Sequence, residues 1–158
     1  MFLLITGCLR AQTGNTITIG RLDSVYSGIL HEQRKIWVSM PDTVSPDGVF
    51  YPQRYPVLYL LDGDESHFAQ VAVMLRQLGG GSGNLSFPQM ILVGIPNTNR
   101  TRDLSPTHVS SSPAIDSFSA AHSGGGENFL EFIEKELMPH IDSTYPVAPY
   151  QMLIGHSL

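Results

Sequence analysis

The stretch 150–158, Tyr-Gln-Met-Leu-Ile-Gly-His-Ser-Leu, joins a short apolar run to the four residues Gly155 to Leu158. Those four match all but the last position of a Gly-x-Ser-x-Gly motif, in which a strand turns sharply and holds a serine hydroxyl above the carboxyl end of a parallel sheet. The apolar run before Gly155 suits the incoming strand. A tetrapeptide of this kind also occurs at ordinary strand-end turns, so its meaning depends on the rest of the chain.

Two further apolar runs, 57–61 and 90–95, are nearly continuous. Runs of this kind are typical of strands buried on both faces of a parallel sheet. The segments 16–19 and 34–40 alternate polar and apolar residues, which predicts half-exposed strands that we expect to be antiparallel.

Helical patterns lie between and after these runs. Ser66 is placed to cap a helix that ends at the glycines 79–81, and residues 127–137 carry apolar side chains at helical spacing. Alternation of strands and helices predicts an α/β fold, a mostly parallel central sheet with helices on both faces. The long polar stretch 96–126 is expected to carry function, as loops of that length often do.

The composition fits one globular domain, with 158 residues of which 42% are hydrophobic and 15% charged. The formal net charge of −5 gives no basic footprint, so we expect no nucleic-acid partner. No run approaches the length of a transmembrane helix, and no His-Glu-x-x-His or similar ligand spacing occurs. We therefore expect no membrane span, no metal and no other cofactor.

The first eleven residues are apolar and end at Ala11, as in a secretory signal, although no positively charged segment precedes them. Ile5 to Cys8 also resembles a bacterial lipobox, in which Cys8 would carry a lipid anchor. We expect 1–11 to be a signal or lipoprotein leader of an exported protein, periplasmic or extracellular, and 12–158 to be the N-terminal part of one domain. A buried first strand is the alternative for this segment.

Four motifs together resemble the putative esterase family of α/β-hydrolases, which includes siderophore esterases, S-formylglutathione hydrolase, feruloyl esterases and mycolyltransferases. They are Tyr55–Asp64, Val93–Thr107, Gly124–Leu130 and Ile154–Leu158, and the siderophore-esterase branch is the most similar. The resemblance implies an α/β-hydrolase that here extends only to the fifth strand and the nucleophile elbow. It also implies a serine esterase that hydrolyses a small-molecule carboxylic ester through an acyl-enzyme.

The resemblance assigns the catalytic roles. Ser157 would be the nucleophile, and the oxyanion would be bound by the N–H of Leu158 and by a second backbone N–H near Gly63 or Asp64. For Asp62 we expect hydrogen bonds to the N–H groups of its own loop.

Candidate substrate-binding residues follow the fourth strand. Arg100, Arg102 and Asp103 lie on the side of the expected site, where a guanidinium would bind a carboxylate-like group. An internal Arg–Asp pair that stiffens the loop is the alternative. His122 is a candidate for the pocket lining, and a surface-loop histidine is the alternative there.

Other functions stay open at this stage. In this fold the triad acid and histidine follow the serine in the chain, so the 158 residues lack both, and we expect them to be inactive by themselves. Acyl transfer to an alcohol would use the same elbow. The alternatives are a non-catalytic esterase-like binding module and a serine peptidase.

Overall fold

A computed structural model describes residues 17–41, 53–79, 87–110 and 116–157. One five-stranded sheet has the strand order β1-β2-β4-β3-β5. Its strands are β1 (Arg21–Ser27), β2 (Glu32–Ser39), β3 (Tyr55–Leu61), β4 (Ile91–Ile95) and β5 (Val147–Ile154). β3 is parallel to both β4 and β5, whereas β2 is antiparallel to β1 and β4. The predicted sheet, with its central parallel strands, is confirmed.

Helices cover both faces of the sheet, as predicted. Successive residues of β3 point to opposite faces, so Leu58 and Leu60 pack under α1 (Glu65–Gly79), while Val57 and Tyr59 face the opposite layer. That layer consists of α4 (Gly126–Phe132), a π-helical segment (Ile133–Leu137) and α5 (Met138–Thr144). Two shorter helices, α2 (Arg100–Leu104) and α3 (Ser117–His122), precede it. None of the helices within the described ranges is long and apolar enough to cross a bilayer.

The helical layer extends further than the sequence predicts. The predicted helix ends at Leu137, but α5 continues the helical path to Thr144 although Pro139 lies in its first turn. Proline lacks an N–H and clashes with the carbonyl four residues earlier in an ordinary α-helix. Here the π-helical segment directly precedes this turn, and wider turns of that kind accommodate such a break.

Two other local predictions are wrong. The segment 17–19 forms no strand, because the Ile19 carbonyl accepts a hydrogen bond from the Ser39 hydroxyl at 2.6 Å and β1 pairing begins only at Arg21. α1 begins at Glu65, ahead of the predicted cap Ser66, because Asp64 Oδ1 accepts the His67 N–H at 3.0 Å and caps the helix. The predicted leader, 1–11, lies outside the described residues.

Candidate active site

Strand β5 ends at Ile154 and leads directly into Gly155, His156 and Ser157, all of which are exposed. Ser157 has φ of +54°, in the left-handed region that residues other than glycine rarely adopt. A Cβ added at Gly155 would lie 3.0 Å from Leu61 Cδ1, so the neighbouring strand leaves little room for a side chain there. This is the sharp turn that the sequence motif predicts.

A cleft of about 640 Å³ opens beside this turn. It lies at the carboxyl ends of β3 and β5 and is bordered by the loop after β4, where ligands of open α/β sheets usually bind. Its apolar wall includes Leu60, Val71 and Ile154, and its polar lining consists of Asp62, Asp64, His67, Asn97, Arg100, His156 and Ser157. The cleft therefore combines an apolar wall with a charged rim that contains the predicted nucleophile.

Asp62 occupies the centre of the charged rim. Its carboxylate accepts two hydrogen bonds from Arg100, from Nε to Oδ1 at 2.8 Å and from Nη2 to Oδ2 at 3.0 Å, and one from Asn97 Nδ2 at 2.5 Å. The Arg100 hydrogen bonds lower the pKa of the Asp62 carboxyl and raise that of the guanidinium. We expected Asp62 to bind the backbone of its own loop, but within the described residues its carboxylate instead ties the loop after β3 to the loop after β4.

The predicted oxyanion donors near β3 are engaged in the protein's own backbone bonds. The Gly63 N–H donates to the Ile95 carbonyl at 3.1 Å, and the Asp64 N–H donates to the Asp62 carbonyl at 2.9 Å. The second bond spans only two residues, the spacing of a γ-turn, whereas the first ties β3 to β4. Of the two positions, Asp64 lines the cleft, and Leu158 lies outside the described residues.

The candidate substrate-binding residues separate into two groups. Arg100 lines the cleft, 38 residues in sequence from Asp62, its carboxylate partner. Arg102 and Asp103 turn away from the cleft: they form an ion pair at 2.7 Å and join a cluster with Glu32 and Arg34 of β2. This is the internal Arg–Asp pair that the sequence offered as the alternative.

His122 is not among the residues that line the cleft. It is exposed at the end of α3, where its ring lies 4.1 Å from that of Phe118 and its Nδ1 contacts the Phe118 carbonyl at 2.8 Å. His122 therefore lies at the surface, as the alternative interpretation of the sequence proposed.

Sequence reasoning missed Asn97 and His67 as members of the cleft. His67 Nδ1 lies 3.1 Å from Asp64 Oδ1, and the His67 N–H lowers the pKa of that carboxyl by donating to it. Both residues were detectable in principle, because each follows within seven residues of the end of a central strand.

The strand order and the serine on a left-handed turn after β5, beside a cleft, define an α/β-hydrolase. The chain belongs to the Putative esterase family, whose model matches residues 27–158. The family resemblance inferred from the four motifs is thus confirmed.

Three proteins illustrate the similarity. The ferri-bacillibactin esterase BesA of Bacillus subtilis is 32% identical over 158 aligned positions, which cover 92% of this chain and 53% of that protein. The apo-salmochelin esterase of Escherichia coli is 27% identical, with coverages of 78% and 38%. The crystal structure of an IroE-like serine hydrolase from Shewanella oneidensis superposes with a TM-score of 0.76 at 37% identity, covering 87% of this chain and 42% of the other. The chain thus spans about half or less of the length of these relatives.

Proposed function

We propose that the whole protein is a serine esterase that hydrolyses a carboxylic ester through an acyl-enzyme on Ser157. The observation that carries this proposal is the left-handed backbone of Ser157, φ +54°, at the rim of the cleft. Strained backbone at a non-glycine residue persists only where the surroundings hold it, and such residues cluster at functional sites.

The proposed reaction begins with attack of Ser157 Oγ on the ester carbonyl. A hydroxyl is a weak nucleophile, so a histidine must accept its proton as the bond to carbon forms, and must later return a proton to the leaving alcohol. Water then attacks the acyl-enzyme and releases the acid. In this fold the triad acid and histidine follow the nucleophile in the chain, and we propose the same order here.

The proposed substrate class is a siderophore ester. It is supported by the two curated relatives, which are named as esterases of ferri-bacillibactin and of apo-salmochelin. The cleft offers an apolar wall for a ring and a polar rim for the groups around the ester. Export of the protein is part of the proposal and rests on the leader sequence alone.

Hydrolysis of a hydrophobic p-nitrophenyl ester by the product of the whole reading frame tests the proposal. We expect Ser157→Ala to abolish the activity, while Ser24→Ala, which alters an exposed serine of β1, leaves it unchanged. Mass spectrometry after treatment with a phosphonate inhibitor should place the label on Ser157. Equal rates for the wild type and Ser157→Ala would contradict the proposal.

The substrate class has a separate test. Ferri-bacillibactin and apo-salmochelin should be hydrolysed with a higher kcat/KM than the p-nitrophenyl ester. If the simple ester is hydrolysed while both siderophores stay intact, the esterase proposal stands and the substrate class is wrong.

A further inference from the structure

Besides its partner Asp62, Arg100 contacts the backbone of the turn that follows β5. Its Nη2 donates to the carbonyl oxygen of His156 at 3.3 Å and to that of Ser157 at 3.0 Å. These carbonyls belong to the two peptide groups that flank Ser157. One guanidinium therefore holds the backbone on both sides of the proposed nucleophile.

The same guanidinium joins two left-handed residues. Asp62, at the end of β3, has φ of +52°, and Ser157, after β5, has φ of +54°. Both conformations are unfavourable for residues with a Cβ and need external support. Because β3 and β5 are adjacent and parallel, one planar side chain reaches both carboxyl ends.

We propose that Arg100, oriented by Asp62, is a positioning residue that holds Ser157 in its left-handed conformation. The inference rests on the proposed function, in which Ser157 is the nucleophile. Arg100 begins α2, whose N-cap Asn99 accepts the Arg102 N–H, and Asn97 steadies Asp62 from the same loop. The supporting contacts thus come from the residues that follow β3 and β4, and they reach the backbone that follows β5.

The geometry favours this role over direct binding of a substrate anion. The Nε and Nη2 groups of Arg100 are engaged by Asp62 and by the two carbonyls. The Asp62 carboxylate also offsets the positive charge that would attract an anion. An effect on a neutral substrate therefore distinguishes the two roles.

The test measures hydrolysis of a neutral p-nitrophenyl ester by the whole protein and by Asp62→Asn, Arg100→Gln and Arg100→Lys. We expect kcat to fall about 10- to 100-fold with KM unchanged, since small displacements of a reacting group cost rates of this order. Arg100→Lys should lie between Arg100→Gln and the wild type, because an ammonium keeps the charge but lacks the fork. Glu131→Gln, which breaks an exposed ion pair with Lys135 on the far helical layer, is the matched control and should keep the wild-type rate.

A second measurement separates positioning from stability. In the Asp62 and Arg100 variants, the rate at which a neutral phosphonate labels Ser157 should fall in parallel with kcat. Their melting temperatures should equal that of Glu131→Gln, so that the lower rate is not due to lower stability. If Arg100→Gln does not fold, Asp62→Asn and Arg100→Lys carry the test.

Two results would overturn the inference. The first is that Asp62→Asn and Arg100→Lys keep both the kcat and the KM of the wild type. The second is that the Arg100 variants keep the wild-type kcat but have a raised KM, which would indicate a substrate contact. Ser157→Ala is measured in parallel: if it stays active, the proposed function itself fails, whereas an inactive Ser157→Ala beside fully active Arg100 and Asp62 variants refutes only the positioning role.

Discussion

The Arg34 guanidinium donates to the Asp103 carboxylate at 2.7 Å, and the two side chains are 1% and 0% exposed. Arg102 donates to the other oxygen of Asp103, also at 2.7 Å, and Glu32 accepts from both arginines. The cluster attaches α2 to β2. Because α2 begins with Arg100, this partly buried network also fixes the helix that presents Arg100 to the cleft.

Asp103→Asn should lower the free energy of unfolding by about 3 kcal/mol, because it breaks a buried ion pair and leaves the Arg34 charge with the partly exposed Glu32 as its remaining carboxylate partner. Urea denaturation of the whole protein measures the change. Arg102→Gln is the comparison: its side chain is 31% exposed, and we expect a loss of about 1 kcal/mol or less. If both variants lose a similar amount of unfolding free energy, the buried Arg34–Asp103 pair contributes no more to stability than the partly exposed Arg102 does.

Glu136, in the π-helical segment, holds the hairpin between β1 and β2. Its Oε1 accepts the N–H groups of Gly28 at 2.8 Å and Ile29 at 3.2 Å, and its Oε2 accepts the Ser27 hydroxyl at 2.5 Å. Glu136→Gln should cost about 2 kcal/mol of stability, since hydrogen bonds to a charged acceptor are the stronger ones. It should also speed amide exchange at Gly28. Glu134→Gln, an exposed neighbour in the same segment, should change neither quantity.

The sequence predicted the central strands well, because runs such as 57–61 are apolar at every position, the pattern of strands that are buried on both faces of a parallel sheet. The turn that carries Ser157 was predicted from the residues Gly155 to Leu158 together with the apolar run before them and the three other motifs. The contacts of the charged residues were not predictable in this way. A run of arginines and aspartates after a strand indicates a polar loop but does not say which partners they find.

Arg100 and Arg102 show the physical reason. Residues two positions apart in an α-helix are related by a rotation of about 200° around the helix axis, so the side chains of Arg100 and Arg102 leave α2 on opposite sides. Arg100 reaches Asp62 in the cleft, and Arg102 reaches Glu32 beside the sheet. The partners of these two arginines could be inferred only once the short helix α2 was known.

Stability at acid pH should depend on Glu32. The Arg102 hydrogen bonds lower the pKa of the Glu32 carboxyl below its usual 4.5, against burial, which acts to raise it. A carboxyl whose pKa is lower in the folded state contributes stability above the unfolded pKa and loses it as the pH falls through the folded pKa. We therefore expect the free energy of unfolding to fall as the pH drops below 4.5, and Glu32→Gln to flatten that part of the profile. A wild-type slope in Glu32→Gln would contradict the assignment.

Gly63 has no room for a side chain. A Cβ there would lie 2.6 Å from Gly94 Cα, Ile95 N and the Leu60 carbonyl oxygen, all of which are backbone atoms. Gly63→Ala must therefore move the end of β3 and with it Asp62, and we expect a loss of about 2 kcal/mol of stability, in the range of overpacked cores.

Gly155→Ala is the matched variant, because its Cβ would meet the Leu61 side chain at 3.0 Å, and a side chain can shift where a backbone cannot. We expect Gly155→Ala to unfold at a higher urea concentration than Gly63→Ala. If Gly155→Ala is instead the less stable of the two, the turn before Ser157 tolerates less change than β3 does.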